Sequence, residues 1–306
     1  TVVGEEADLA AAVDIDAIGR WLASTDANST SPSSVRLVCS WLRLCAEATG
    51  LVDPAESTIS ADIPADLQPT SQKWQLPQPE EPFADPLTGI AFVFIPGGTF
   101  TMGDTFGDGS EDEQPVHEVT LSPFYMAVCP VTQAQWNALM DENPSGFVDD
   151  RHPVEQVTFN DVMAFIGAMN AAAPEGVRFD LPTEAQWEYA ARSGGLDERY
   201  AGGQDAEAVA WFDDSNEGRT APVGSKAPNG LGLYDMSGNV WEWCRDIYVA
   251  SAYRQHDAVD PVCEAGGRDR VIRGGSWHLD AWSVRCSRRF RFDPELFGPG
   301  LWVRGV

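Results

Sequence analysis

Basic residues are scarce: 20 Lys and Arg stand against 47 Asp and Glu, leaving a net charge of −27 and an isoelectric point near 4.2. A surface this acidic repels a phosphate backbone, so sequence-independent nucleic-acid binding is excluded. No apolar run approaches the roughly 20 residues that cross a bilayer, so no membrane span is expected and the chain reads as soluble. The six cysteines form no CxxC, which removes zinc ribbons and thioredoxin-type redox pairs. Only four histidines occur, none within five residues of another, which argues against a histidine-held iron. The sequences GxSxG, HExxH and the P-loop are also missing. No signal peptide is visible, but the chain starts at Thr1 rather than Met. The compartment therefore stays open, cytoplasmic or exported with a leader removed.

What is present is 306 residues with 43% hydrophobic content, enough for one large domain or a medium one with an appendage. Counts of 28 Gly, 21 Pro and 11 Trp point to a loop-rich fold with aromatic anchors. Residues 1–50 read as helical, with Ile15, Ile18 and Leu22 at helical spacing and a second run opening at Ser31-Pro32. Residues 51–90 carry seven prolines and read as a linker or a strap over the next domain. From Ala91 onward short strands are expected, with helices starting at Thr132, Asn160 and Thr183. Thr183 and Gln186 stand at capping-box spacing. Glu111-Asp112-Glu113 reads as a solvated loop rather than an acid/base pair.

Six blocks then occur in order: FVFIPGGTFTMGD (92–104), HEVTLSPFYMAVCPVTQAQW (117–136), HPVEQVTFNDVMAF (152–165), LPTEAQWEYAAR (181–192), GLYDMSGNVWEWCRD (232–246) and RVIRGGSW (270–277). Together they resemble the formylglycine-generating enzyme and sulfatase-modifying-factor family. The resemblance covers residues 91–306 and implies an α+β class, a C-type-lectin-like fold of the formylglycine-generating-enzyme type, here preceded by a small N-terminal helical segment. It also implies a calcium ion held by Asp235, Gly238, Val240 and Glu242, a set of hard oxygens that suits that ion. The same residues have a plainer reading, with Asp235 capping a turn and Glu242 paired to a buried Arg. Trp241 and Trp243 read as core.

The oxidases of the family bind Cu(I) through two cysteines five positions apart. Cys286, inside Arg285-Cys286-Ser287-Arg288-Arg289, matches the second, but Ala281 stands at the first and has no ligand atom. One thiolate holds Cu(I) poorly, so copper is not expected and Cys286 would be catalytic only in an oxidase. The related sulfoxide synthases need three histidines for iron, which this chain does not supply.

From Glu264 to the end, eight Arg face five acidic residues, a local +3, while the preceding residues carry −30. Aromatic and apolar side chains are interspersed with these Arg. Either the Arg pair with buried carboxylates over an aromatic core, or the segment is a binding face rich in interface residue types. Variable proteins of diversity-generating retroelements, which resemble this chain, place RGGSW near the C-terminus and vary the side chains after it. That resemblance implies a ligand-binding surface at His278, Leu279, Asp280, Trp282, Phe290, Phe292, Glu295, Leu296 and Phe297, with Trp277, Arg285 and Cys286 turned inward. It departs at Leu301-Trp302-Val303-Arg304, where relatives usually read L-G-F-R. The expectation is a non-catalytic module that binds a protein or another surface ligand, with calcium as its cofactor. The competing reading is a copper oxidase that converts a client cysteine to formylglycine.

Overall fold

The computed structural model describes Gln78, residues 80–213 and 215–296, and the backbone of Leu301–Trp302. The helices expected over 1–50, most of the 51–90 strap and Phe297 lie outside the described residues.

Among the described residues, three small sheets and four α-helices carry the domain. Strands β1 (Phe83–Ala84), β2 (Ala91–Ile95) and β5 (Phe124–Ala127) form an antiparallel sheet in the order β1-β2-β5. Strand β1 falls inside the stretch read as a strap, and the Phe83 ring stacks on Phe92 at 5.0 Å between centroids. Strands β3 (Gly98–Met102) and β4 (His117–Leu121) form a two-stranded ribbon. The third sheet runs β8 (Arg289–Phe292), β7 (Arg270–Arg273), β6 (Trp241–Ile247), β9 (Leu301–Trp302), with only the β6–β9 pair parallel.

Helices α1 (Gln133–Asn137), α2 (Phe159–Ala172) and α3 (Glu184–Ala191) each begin at a threonine whose hydroxyl accepts the N–H three residues on. At each, the third residue (Gln135, Asp161 or Gln186) returns a side-chain bond to the cap's own N–H. This reciprocal pairing satisfies two of the N–H groups that a helix start would otherwise leave bare. The second helix therefore starts at Phe159 behind Thr158, one residue before the expected start. Helix α4 (Ala206–Val209) is a single turn.

The alternation of the β6–β8 strands divides the interior. Trp241, Trp243 and Ile272 face a core built on α2, with Val162, Phe165, Ile166 and Met169. Cys244 and Val271 face the opposite way, into a second core with Trp187 and Tyr189 of α3 and with Ile95, Phe100 and Met102. Two-residue periodicity of a strand is what lets one sheet serve two cores. The expectation that Trp241 and Trp243 are core holds: they are 8% and 0% exposed.

The α3 side of that sheet also holds charge. Glu184 and Glu188, one turn apart, point from the helix onto Arg289 and Arg273 of the sheet. Arg289 grips Glu184 through two bonds of 2.8 and 2.7 Å, and Arg192 reaches Glu188 at 3.1 Å. Burial raises the Glu184 carboxyl, but Arg289 and Arg273 outweigh it and hold it below the usual range. A second buried fork joins Arg285 to Glu113 at 2.9 and 3.0 Å. Glu113 is fully buried and Asp112 accepts the Tyr248 hydroxyl at 2.7 Å, so of the 111–113 stretch read as solvated only Glu111 is exposed.

Candidate functional site

The turn between Leu231 and Val240 and the start of β6 carry the expected calcium residues, with Leu233 and Met236 in the second core and Val240 in the first. Asp235 adopts a left-handed backbone, φ 57°, and its Oδ2 accepts the Gly224 N–H at 2.7 Å. Gly238, at φ 81°, sits so close to the Trp211 carbonyl that a Cβ would collide with it. This contact fixes glycine there and lets Asn239 donate to the Trp211 carbonyl at 2.8 Å. The Gly238 carbonyl accepts from Val240 N–H at 2.8 Å. Glu242 is fully buried, its Oε2 accepts the Trp187 indole N–H at 2.6 Å, and it stands opposite the buried Arg273 in the β6–β7 register. The four residues offer hard oxygens only, a donor type that fits calcium.

Around Cys286 the chemistry is different. Its thiol is fully buried, and burial pushes it up to about 12, with Arg192 pulling the other way. The group is a protonated thiol at neutral pH, not a soft anionic ligand. Ala281, at the other copper position, opens a short 3-10 turn (Ala281–Val284) and packs its methyl against the cluster of Tyr200, Val209 and Val284. Cys244 is likewise buried, with its thiol raised well above the ordinary value by burial and by Glu184. Among the described residues no group of three or more His, Cys, Asp or Glu is placed to hold a metal. One buried thiol, with a methyl at the other position, does not fit a two-thiolate copper site.

The segment after Trp277 splits into an inner and an outer set. Arg285, Cys286 and Arg289 are buried, and Trp277 is half-buried, edge-on to Phe147 at 5.7 Å and to His278 at 4.9 Å. His278, Asp280, Trp282, Phe290, Glu295 and Leu296 are exposed, as expected of a contact face. Leu279 and Phe292 are not: both pack against the α2 core, and Phe292 lies edge-on to Trp243 at 6.2 Å. For Phe292 the reason is its place along β8. In Arg289-Phe290-Arg291-Phe292 both rings share one face of β8, with Phe292 over Trp243 inside and Phe290 over Trp241 at the rim.

Several outer residues also work for the fold. Asp280 caps the 3-10 turn by accepting the Ser283 N–H at 2.9 Å, and Glu295 pairs with Arg268 at 2.8 Å. Trp282 donates its indole N–H to the Asp108 carbonyl at 2.9 Å, and the guanidiniums of Arg285 and Arg288 each lie 4.6 Å from its ring. Arg288 also lies 5.5 Å over Phe290, so Trp282, Arg288 and Phe290 form one continuous outward patch.

Sequence reasoning missed one pair. His117 Nε2 and His256 Nδ1 are 3.1 Å apart, both rings tilted against Tyr253 at 5.0 and 5.1 Å between centroids, although 139 residues separate them. Nothing in their spacing signals it.

Residues 78–306 match the Sulfatase-modifying factor enzyme 1-like domain. The chain belongs to that family. Within it, this sulfatase-modifying-factor-like chain is 33% identical over 263 residues to a formylglycine-generating enzyme of Streptomyces coelicolor, covering 64% of the chain and 81% of that enzyme. It is 34% identical over 275 residues to the serine/threonine-protein kinase Pkn1 of Chlamydia trachomatis, but spans only 41% of that longer protein. Its fold is similar to that of Treponema denticola variable protein 1, with a TM-score of 0.62 at 26% identity over 73% of this chain and 97% of that one. The α+β, C-type-lectin-like fold read from the six sequence blocks is thereby borne out. No described helix is long and apolar enough to cross a membrane.

Proposed function

We propose that this member of the family is a non-catalytic binding module that presents the outer side of residues 278–296 to a protein or other surface ligand. The observation that carries the reading is the inner and outer division of that segment. Arg285, Cys286 and Arg289 lock it from behind, while Trp282 and Phe290 stay 37% and 45% exposed in front. Exposed Trp and Phe beside Arg are the residue types that concentrate binding energy. A backing fixed by buried ion pairs would let outward side chains change without loss of the fold, which is what a variable display protein of the retroelement type requires. Calcium at the Asp235–Glu242 turn is proposed as a structural ion that holds this face's neighbouring loop.

The second reading, a copper-dependent oxidase making formylglycine in a client protein, draws on the 33% identity to an enzyme of that name. Against it stand Ala281 and the protonated Cys286 thiol. The deciding assay incubates purified protein with Cu(I), oxygen and a cysteine-containing sulfatase peptide, and measures aldehyde formation. None is expected. Aldehyde formed by the parent and lost in Cys286→Ala overturns the binding-module reading. Beside the gene, a reverse transcriptase and a near-identical copy of the 3′ coding segment are expected; finding neither removes the variable-protein assignment and leaves an invariant binding module.

A further inference from the structure

A cavity of about 320 Å³ opens at the far end of the third sheet, between α2, the segment around Leu181 and the ends of β6 and β7. None of the outward residues of 278–296 lines it. Its floor is apolar, with Phe159 and Met163 of α2, and three guanidiniums reach it from Arg178, Arg245 and Arg270. Two of these are answered by carboxylates: Arg245 pairs with Glu264 at 2.9 Å, and Arg178 approaches Asp180 at 3.6 Å. Arg270 is not. It donates to the Arg245 carbonyl at 2.6 Å and lies 4.4 Å over the Phe159 ring, and no carboxylate of the described residues pairs with it. Asp246, the acid that draws on it electrostatically, spends its oxygens on the N–H groups of Glu184 and Cys263.

In a chain of net charge −27, an unanswered and partly buried guanidinium above an aromatic floor is out of character. A guanidinium presents a planar fork of donors that matches a carboxylate, and Phe159, Met163, Leu181 and Ile247 supply an apolar side to the same cavity. The volume lies at the small end of the range for small-ligand sites. We infer that this cavity binds a small monocarboxylate with an apolar or aromatic body, its carboxylate on Arg270 and its body over Phe159 and Met163. The lining carries one cation in excess of its acids, which suits a single negative charge; a dianion would meet Glu264 and Asp180.

The test is calorimetric titration of the purified chain with 3-phenylpropionate, its neutral amide and inorganic phosphate. Saturable one-to-one binding of the acid is expected, with the amide and phosphate weaker by about tenfold or more, the scale of one charge-assisted fork. Arg270→Gln should weaken the acid by a similar factor. Met163→Glu, at a solvent-facing position of α2, should do the same by repulsion without disturbing the core, so a folding defect in the first variant leaves the second to decide. A peptide ending in a free phenylalanine carboxylate, compared with its amide, separates a polypeptide end from a free acid as the source. No saturable binding of either acid, equal binding of acid and amide, or parental affinity in Met163→Glu overturns the assignment.

Discussion

Truncating Trp282 to alanine separates an anchored ring from a merely exposed one. Exposure of 37% alone would put the cost of Trp282→Ala under about 0.5 kcal/mol, as for an unremarkable surface site. The contacts say otherwise. The indole N–H bond to the Asp108 carbonyl contributes about 1 kcal/mol. The Arg285 and Arg288 guanidiniums over the ring add about 0.5 kcal/mol each at a partly exposed position. The expected loss is about 2 kcal/mol, which for a domain of this size lowers Tm by roughly 4–8 °C. Trp282→Phe keeps a ring between the guanidiniums and loses only the N–H, so about half of that shift should remain. Thermal melts followed by near-ultraviolet circular dichroism measure all three proteins. A Trp282→Ala melt coincident with the parent would refute the anchoring. A fall as deep as that of Trp243→Ala, a fully buried ring worth about 3–5 kcal/mol, would make Trp282 a core residue and remove it from the contact face.

Glu113→Gln should cost about 3–5 kcal/mol, because it strands the buried Arg285 charge; the double variant Glu113→Met/Arg285→Met should be more stable than the single one in urea titrations. Burial, with His117 adding to it and Glu184 opposing, pushes His256 down to about 4. Below pH 6.5 the unfolded chain gains a proton that the folded one refuses until about pH 4, so stability should fall across that window by about 1–2 kcal/mol more in the parent than in His256→Gln. Calcium at one hundred times its Kd should add about 2.7 kcal/mol, seen as a higher Tm than in chelator. Glu242→Gln, which can still accept the Trp187 N–H, should abolish that difference, and identical parent melts with and without calcium would remove the ion from the turn.

Local signals carried well from sequence to structure. Thr132 and Thr183 announced their helices because the capping bond and its reciprocal lie within four residues of chain. Long-range pairs carried badly. Glu113 looked solvated beside Glu111 and Asp112 because its partner, Arg285, is 172 residues away. Phe292 is a different kind of miss. The alternation Arg-Phe-Arg-Phe was in the sequence and places both rings on one face, so what separates them is position along β8 relative to Trp241 and Trp243 on β6 of the same sheet. In the 281–286 stretch the missing copper cysteine was legible directly, whereas the raised thiol of Cys286 required knowing that it is fully buried.

The buried acids of α3 have a consequence for the order in which the chain can mature. Glu184 leaves the ribosome long before the guanidiniums that neutralise it, since Arg273 and Arg289 follow 89 and 105 residues later. At about 5–20 residues per second, translation leaves that carboxylate without its cations for on the order of 5–20 s. During that interval α3 cannot settle against the sheet, because burying an unpaired carboxylate is too costly. Strands β7 and β8 thus act as the latch of the α3 side of the domain, closing it only once Arg273 and Arg289 have been made.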